Sequence, residues 1–366
     1  MVQDVMRSAL LLTSIPSPYM TELVDEVNNL GSWEITVLYQ KMKGVDRHWA
    51  PKKINHKHTF LDHSNSELIE DFVSRADLII LGSLWGSKVS NLIKLSISLN
   101  KPFVLWAEKP GAIHRNFFAR LVRNTLIFYR FKKAKAVWGI GEWAVRDYKR
   151  ILFGVSQFAN MPYASNLKPY FKILRNDKSS CTLSHPIRFL FSGSLISRKG
   201  VDLLIPIFIK LINEGLDISL TLIGKGELIG DLNELVYKSK VDKITFLGFK
   251  DWDELSLVYA NHDILIAPSR YDGWGLIVVE ALASGIPVIT TNMVGAGRDL
   301  INQGKNGWII PANNSKALEE AIRKAVKAPL AQMGIDARFS VSSCGLDDLA
   351  FRWCKLANKA VLKDTR

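Results

Sequence analysis

The fold is decided by one stretch in the second half of the chain, Pro268–Thr291, which reads PSRYDGWGLIVVEALASGIPVITT. The apolar run Ile264–Ala267 leads into it and predicts a buried strand. A polar loop with two glycines follows, and the apolar segment Leu276–Ala283 then predicts a helix that Gly285 ends. The next apolar run, Pro287–Thr290, predicts a second strand. A strand, a helix and a strand in this order form one unit of a parallel α/β sheet.

The loop before this predicted helix has the features of an anion site. Gly273 and Gly275 allow the backbone to approach a ligand closely. The free amides of Trp274, Gly275 and Leu276 lie at the helix N-terminus, where the partial positive charge of the helix favours an anion. The loop therefore predicts a site for a negatively charged ligand.

Two acidic residues flank the start of this helix. Asp272 precedes the helix, and Glu280 lies about 6 Å below its first turn, at a rise of about 1.5 Å per residue. The pair can flank a bound diphosphate, with each acid reaching one of two sugars. In the alternative interpretation, Asp272 is an N-cap and Glu280 is a solvated helix residue. Glu280 has apolar neighbours on both sides in the sequence, however, and a carboxylate there needs a hydrogen-bonding partner.

A second strand and loop, Phe191–Gly200, reads FSGSLISRKG. Gly193 opens the loop, and Arg198 and Lys199 begin the next predicted helix. Two cations in such a loop can neutralise a diphosphate without a metal ion. An ordinary basic loop is the alternative.

Other phosphate-binding motifs are weak or absent. The sequence contains no G-x-x-x-x-G-K-[ST] loop, and no G-x-G-x-x-G follows the first predicted strand. Gly224-Lys225-Gly226 follows the predicted strand Ser219–Ile223, but Gly230 stands one residue too late for the dinucleotide pattern. Taken alone, these glycines are also compatible with a plain tight turn.

Strand and helix signals alternate through both halves of the chain. This alternation predicts an α/β protein with two Rossmann-like domains that face each other across a cleft and bind ligands at the carboxyl ends of their strands. We expect an N-terminal domain over residues 1–165, a linker over 166–186 and a second domain over 187–345. A final helix, over 346–366, is expected to pack back on the N-terminal domain.

Composition excludes several classes of protein. The 366 residues are 48% hydrophobic and 23% charged, as in ordinary globular proteins, and no run of 18 apolar residues is present to span a membrane. The apolar segment Ala9–Leu12 is too short for an export signal, so we expect a buried first strand. Cys181, Cys344 and Cys354 are widely spaced and form neither a disulfide framework nor a zinc motif. We therefore expect a cytoplasmic protein.

The net charge of +13 is concentrated in the N-terminal half, with +11 in residues 1–180 and +2 in residues 181–366. This asymmetry suggests nucleic acid or a lipid surface as an anionic partner, with simple solubility as the alternative. Asp272 and Glu280 would repel a phosphate backbone and the sequence contains no recognition module, so no nucleic-acid partner is expected.

The strongest basic segment is Arg115–Lys135, which holds seven Lys and Arg residues and no acid. Its apolar residues follow helical spacing. A basic amphipathic helix can lie on an anionic leaflet, which would place the protein peripherally on the inner face of the cytoplasmic membrane. In the alternative, the apolar stripe packs into the domain core and the basic face is solvated.

The run D-G-W-G-L-I-V-V-E, followed by A-L-A-S-G-I-P-V-I, resembles the E-x7-E signature of retaining glycosyltransferases with the GT-B fold, the group 1 or family 4 class. The run G-S-L-I-S-R-K-G resembles the strand, loop and helix that carry the diphosphate lysine in that family. In the first half, S-P-Y-M, V-L-Y, W-A-E-K-P-G and M-P-Y-A-S are similar to one branch of the family. The resemblance covers nearly the whole chain.

This resemblance implies a hexosyltransferase. It would move a sugar from a nucleotide-diphosphate donor to a glycan or lipid-linked acceptor with retention of the anomeric configuration, in the synthesis of surface polysaccharide or glycolipid. The N-terminal domain would bind the acceptor and the second domain the donor. The resemblance implies no metal ion, and no cofactor other than the donor substrate. The alternatives are a nucleotide-sugar epimerase, a phosphorylase of the same fold and an inactive binding protein that retains the GT-B fold.

The resemblance also implies a role for each matching residue. Glu280 would bind the ribose hydroxyls of the nucleotide, and Asp272 the hydroxyls of the donor sugar. Lys199, with help from Arg198, would neutralise the leaving diphosphate. The remaining donor-binding positions are Gly193, Ser194, Gly224, Gly226, Glu227, Gly273, Trp274, Gly275 and Leu276.

The sequence departs from the family pattern in several places. Asp272 stands where the family usually has Glu. Ser194 replaces a second phosphate-binding arginine, so that either Arg198 compensates or the leaving group is stabilised less. Ile15–Tyr19 replaces the glycine-rich loop after the first strand. No residue clearly matches the catalytic-side histidine of the N-terminal domain, and Glu108 is the candidate there for an acceptor-side or acid/base role. An ion pair between Glu108 and a nearby lysine is the alternative.

Overall fold

The computed structural model describes residues 6–42, 53–61, 66–111, 116–172 and 186–362. Cys181, Arg115 and residues 173–185 of the predicted linker lie outside these ranges. The chain divides into two compact units, which are described separately. Unit 1 comprises residues 1–164 and 346–366, and unit 2 comprises residues 165–345.

Unit 1 is built on a parallel sheet of seven strands. In chain order these are β1 (Arg7–Thr13), β2 (Trp33–Tyr39), β3 (His58–Phe60), β4 (Leu78–Leu81), β5 (Phe103–Ala107), β6 (Ala136–Gly139) and β7 (Gln157–Asn160). Their order across the sheet is β3-β2-β1-β4-β5-β6-β7. The central strands are buried, including Ala9–Leu12 of β1, because helices cover the sheet.

Within the described residues of unit 1, five helices connect these strands. They are α1 (Pro18–Asn29), α2 (Ser66–Arg75), α3 (Ser87–Ser98), α4 (Phe117–Phe131) and α5 (Glu142–Ile151). Parallel strands require crossover connections of this kind.

Unit 2 repeats this architecture with a parallel sheet of six strands. These are β8 (Ile187–Ser192), β9 (Ile218–Ile223), β10 (Ile244–Gly248), β11 (Ile264–Ala267), β12 (Val288–Thr291) and β13 (Gly307–Ile310). Their order across the sheet is β10-β9-β8-β11-β12-β13. The first strand of unit 2, β8, therefore lies in the middle of this sheet. The strands β9 and β10 follow on one side and β11, β12 and β13 on the other, which places the topological switch point between β8 and β11.

The helices of unit 2 begin within the segment that the sequence suggested as a linker. They are α6 (Lys168–Lys172), α7 (Val201–Asn213), α8 (Ile229–Ser239), α9 (Trp252–Ala260), α10 (Leu276–Ala283), α11 (Gly295–Leu300), α12 (Ser315–Val326) and α13 (Leu330–Ser340).

The last helix, α14 (Leu346–Val361), belongs to unit 1. Trp353 is buried, and its ring meets that of Trp33 edge-on at a centroid distance of 5.7 Å. Asn358 Oδ1 accepts hydrogen bonds from Arg7 Nη1 at 2.9 Å and from Trp33 Nε1 at 3.1 Å. The prediction that the C-terminal helix packs back on the N-terminal domain is confirmed.

The expected start of one helix is wrong. The sequence suggested a helix from Lys199, but Ser197–Lys199 forms a 3-10 turn and α7 begins at Val201. Gly200 separates the two with a φ of 74°, a left-handed conformation that interrupts an α-helix.

Among the described residues, no helix is both long enough and apolar enough to span a bilayer.

Candidate functional site

The two motifs singled out in the sequence lie on neighbouring strands of unit 2. The loop 193–200 follows β8 and the loop 268–275 follows β11, and β8 and β11 pair directly in the sheet. Both loops therefore leave the sheet at its carboxyl edge, beside the switch point where α/β sheets bind ligands.

Lys199 and Asp272, predicted to hold the diphosphate and the donor sugar, are bonded to each other. Lys199 Nζ lies 2.5 Å from Asp272 Oδ2. The Lys199 side chain is 14% exposed and the Asp272 side chain 17% exposed, so water screens this charge-assisted contact only partly.

Two arginines hold the same loops together. The guanidinium of Arg198 donates to the Tyr271 carbonyl oxygen at 2.9 Å, and the Arg270 amide donates to the Arg198 carbonyl oxygen at 2.9 Å. Arg270 also binds both carboxylate oxygens of Asp202, at 2.7 and 2.8 Å. Arg198, expected to assist Lys199, thus donates one hydrogen bond to the neighbouring loop. The ion pair of Arg270 with Asp202 was not predicted from the sequence.

The backbone at the start of α10 leaves donors available. Gly275 is its N-cap residue, with a φ of 90°, and a Cβ at that position would collide with the Val294 side chain. The interpretation of Asp272 as the N-cap is therefore wrong. Within the described parts of the chain, the amides of Gly275 and Leu276 donate to no acceptor. Such amides at a helix N-terminus form an anion site.

A third segment, residues 293–296 at the start of α11, supports this loop and was not identified from the sequence. The Asp272 amide donates to the Met293 carbonyl oxygen at 3.0 Å, and the Ala296 amide donates to the Trp274 carbonyl oxygen at 2.8 Å. A Cβ at Gly295 would clash with the Gly273 carbonyl oxygen, so the two loops approach as closely as only glycine allows. Gly295, the first glycine of V-G-A-G, stands four residues after the end of β12 and was the signal for this contact.

The turn after β9 also reaches the loop that follows β8. A Cβ at Gly224 would collide with the Gly193 carbonyl oxygen, and one at Gly226 with the Leu195 carbonyl oxygen. Glu227 is exposed beyond this turn, and Ser194 is half-buried in the neighbouring loop. The structure thus brings the predicted positions 193–194, 224–227 and 272–276 together along one edge of the sheet.

Glu280 is 2% exposed and lies inside unit 2, so its interpretation as a solvated helix residue is wrong. Ser165 Oγ donates to Glu280 Oε1 at 3.3 Å, and the Tyr259 hydroxyl donates to Oε2 at 3.3 Å. The sequence called for a hydrogen-bonding partner at this carboxylate, but neither partner was identified. Burial, and then the nearby Glu280 carboxylate, raises the pKa of Tyr259 well above its ordinary value, so the hydroxyl stays protonated and can donate. The Ser192 side chain, at the end of β8, lies close to the same hydroxyl and opposes the rise in its pKa.

The Trp274 indole is the other buried polar group at this site. The side chain is 4% exposed, and its Nε1 hydrogen finds no acceptor within the described ranges. A buried donor without an acceptor costs about 1–3 kcal/mol.

Glu108 belongs to unit 1, where it follows β5. It is half-buried, and its carbonyl oxygen accepts a hydrogen bond from the Tyr148 hydroxyl at 2.7 Å. The adjacent Lys109 lies 3.3 Å from Asp147 and 4.5 Å from the centre of the Trp143 ring. Glu108 thus stands at the carboxyl edge of its own sheet, as the strand assignment implies.

In the part of the chain that the structure describes, no group of three or more His, Cys, Asp or Glu residues could hold a metal ion.

The helix α4 presents an unusual surface in unit 1. Only Ile127 and Phe131 of this helix are buried. The large apolar side chains that are more than half exposed are Phe117, Phe118, Leu121, Val122, Leu126 and Tyr129. The interpretation of this apolar stripe as part of the domain core is therefore wrong for most of its length.

Most of unit 2 matches a known protein family. Residues 175–338 match the family described as "Glycosyl transferases group 1". An uncharacterized glycosyltransferase of Methanocaldococcus jannaschii is 34% identical over 137 residues, which are 37% of this chain and 37% of that protein. The capsular polysaccharide biosynthesis glycosyltransferase CapM of Staphylococcus aureus is 29% identical over 136 residues, 37% of this chain and 36% of CapM. The chain thus spans little more than a third of the length of these curated relatives.

The likeness in fold extends over the whole chain. The crystal structure of HepE from Anabaena in complex with UDP has a TM-score of 0.76, with 97% of this chain and 100% of HepE covered. The sequence identity is 14%, so this likeness concerns the fold. The predicted fold class, two parallel-sheet α/β domains of the GT-B glycosyltransferase type, is confirmed.

Proposed function

We propose that this chain transfers a hexose from a nucleotide-diphosphate sugar to a glycan or lipid-linked acceptor, with retention of the anomeric configuration, and the match of residues 175–338 to the group 1 glycosyltransferases supports this proposal. The observation that carries the proposal is the convergence of Lys199, Asp272 and the free amides of α10 at the switch point of unit 2. A diphosphate leaving group requires this combination of fixed positive charge and preorganised donors.

Each part of the site has a task in this reaction. Lys199 and the amides of Gly275 and Leu276 stabilise the charge that grows on the diphosphate as the glycosidic bond breaks. Asp272 accepts hydrogen bonds from the donor sugar, and Glu280, oriented by Tyr259, binds the ribose. The acceptor attacks from the face that the diphosphate leaves, which retains the configuration. Because the chain's own cations and amides neutralise the diphosphate, we propose that the reaction needs neither a metal ion nor a cofactor.

The test of the proposal is a binding and turnover panel. UDP-, GDP-, ADP- and dTDP-sugars are added with and without a chelator to wild type, Lys199→Met and Glu280→Gln, and thermal stability and nucleotide release are measured. One nucleotide family should stabilise the wild type, by about 2.7 kcal/mol at 100 times its dissociation constant. Lys199→Met should weaken this effect. Lys210→Met is the matched control, because Lys210 is an exposed lysine of the same unit that pairs with Glu319. If no sugar nucleotide binds wild type, the proposal fails, and binding without turnover on any acceptor would indicate an inactive binding protein.

We further propose that the protein lies peripherally on an anionic membrane, through a surface made of α4 and Phe153. Phe153 is 77% exposed and stacks on Phe128 of α4, with ring centroids 4.7 Å apart. Arg120 and Lys132 lie over aromatic rings at the two ends of α4, and the segment 115–135 contains no acid. Exposed apolar side chains framed by cations are complementary to an anionic leaflet, in which such helices insert about 5–10 Å.

This surface is also consistent with a lipid-linked acceptor. Each Lys or Arg near an anionic leaflet contributes about 1 kcal/mol to binding. Co-sedimentation with phosphatidylcholine vesicles, with and without phosphatidylglycerol, tests the proposal. Wild type should bind the anionic vesicles, and the double variant Phe118→Ser, Leu121→Ser should not. Phe339→Ser removes an equally exposed phenylalanine from unit 2 and serves as control. The membrane proposal fails if the double variant sediments with the vesicles as much as Phe339→Ser does. It also fails if a second copy of the chain covers α4 in solution.

A further inference from the structure

We propose that the Lys199–Asp272 ion pair makes this site discriminate against the nucleoside diphosphate product, so that Asp272 promotes product release. The inference rests on the proposed function, because it assigns the pair a role in the donor site. It starts from the 2.5 Å contact between Lys199 Nζ and Asp272 Oδ2, which neutralises the lysine before any ligand binds.

The pair is built into the site. Lys199 is the last residue of the 3-10 turn, and its Cε lies 4.0 Å from the position that a Cβ on Gly193 would take. Asp272 is held from the other side, because its amide and carbonyl groups hydrogen-bond to Met293 and Gly295. The Arg198 and Arg270 contacts hold the two loops against each other. The carboxylate therefore stays within reach of the ammonium group.

The ion pair weakens the binding of a nucleoside diphosphate that carries no sugar. It must share Lys199 with the carboxylate, and its own charge lies close to that of Asp272 in a partly buried site, where screening is weak. A lysine has three donor hydrogens and can contact both groups, but repulsion between the two anions remains.

The ion pair does not weaken the binding of a sugar nucleotide in this way. Its sugar hydroxyls donate to Asp272, whose two oxygens accept several hydrogen bonds. The carboxylate then has a partner other than Lys199, and the ammonium group turns to the diphosphate. After transfer the sugar leaves with the acceptor, Asp272 loses those donors, and the carboxylate competes for Lys199 again.

The experiment compares affinities for a diphosphate and its sugar nucleotide by calorimetry. The probes are UDP, ADP and dTDP, each with its glucose conjugate, and GDP with GDP-mannose. Asp272→Asn should tighten binding of the diphosphate at least tenfold and binding of its sugar nucleotide less than threefold. The ratio of the affinity for the sugar nucleotide to that for the diphosphate should therefore fall. Asp217→Asn is the control, because it also removes one negative charge from unit 2, at an exposed pair with Lys243. In a Lys199→Met background the effect of Asp272→Asn on the diphosphate should shrink below threefold.

The outcomes separate the two proposals. Equal changes for the diphosphate and its sugar nucleotide, or no change for either, would overturn the discrimination while leaving the donor site intact. A full effect in the Lys199→Met background would also overturn it, because Asp272 would then act without the lysine. If wild type binds none of the UDP-, GDP-, ADP- and dTDP-sugars, the proposed function fails, and the discrimination fails with it.

Discussion

The hydroxyl of Tyr259 donates to Glu280 Oε2 at 3.3 Å, and both side chains are buried in unit 2. The Ser192 side chain, at the end of β8, also lies close to this hydroxyl, so Tyr259 stands between the carboxylate on α10 and the start of the 193–200 loop. The buried Glu280 of the segment Pro268–Thr291 is thus oriented by a tyrosine that also lies beside β8, the strand that leads into the 193–200 loop.

Tyr259→Phe tests whether the Tyr259 hydroxyl orients the Glu280 carboxylate. The change removes one donor to a buried carboxylate, which should lower the free energy of unfolding by about 1–3 kcal/mol in urea titrations. Nucleotide affinity should also fall, because Glu280 loses its fixed direction. Tyr237→Phe is the control, since Tyr237 is 84% exposed on α8. An unchanged unfolding free energy for Tyr259→Phe would contradict the hydrogen bond.

Alanine at position 275 should damage both stability and binding. The φ of 90° and the contact with Val294 leave no room for a Cβ, and left-handed strain costs about 1–3 kcal/mol. Thermal denaturation measures the stability, and titration with UDP measures the binding. Gly230→Ala on α8 is the matched change, because nothing lies within 4 Å of its Cβ position. It should be neutral or stabilise by up to about 1 kcal/mol. Equal effects of the two changes would argue against the geometry described for Gly275.

Trp274→Phe should stabilise the ligand-free protein. The substitution removes a buried indole hydrogen that has no acceptor among the described residues while keeping most of the apolar surface. We expect a gain of about 1 kcal/mol in the free energy of unfolding, measured without ligand. A loss of stability of that size would mean that the indole donates to a group in the folded chain.

The stability of unit 1 should depend on pH through His56. His56 is buried, with Nε2 2.9 Å from the Tyr39 hydroxyl and Nδ1 2.7 Å from Asp25 Oδ1. Burial lowers the pKa of His56 below its ordinary value of 6.5, an effect that Asp25 opposes and His58 adds to. The unfolded chain therefore binds the proton first, so stability is complete above pH about 6.5 and declines as the pH falls below it.

Replacing His56 with Gln should weaken this decline. Urea titrations at pH 7.5 and 5.0 measure the difference in unfolding free energy for wild type and variant. His58→Gln is the comparison, because His58 is an exposed histidine of the same segment. The assignment to His56 is refuted if the variant retains the full pH dependence of wild type.

Much of the fold was predictable because the signals are local. The bounds of β11 and α10 agree with the segments Ile264–Ala267 and Leu276–Ala283 predicted from the sequence. The strands β3, β7 and β13 were missed, since HTF and QFAN include polar residues and GWII begins with glycine, so none of them reads as a continuous apolar run.

What the sequence by itself determined was the class of the fold, the two loops of unit 2 and the residue types available there, because periodicity, glycine and charge act over a few neighbouring residues. Only the tertiary structure decided how these groups are used. Glu280 receives a hydrogen bond from Ser165, 115 residues away in the chain, and Lys199 meets Asp272 across 73 residues. The spacing of apolar residues in α4 predicted an amphipathic helix but not whether the rest of unit 1 covers its apolar face. That depends on packing between distant elements, and in this protein most of that face is left exposed.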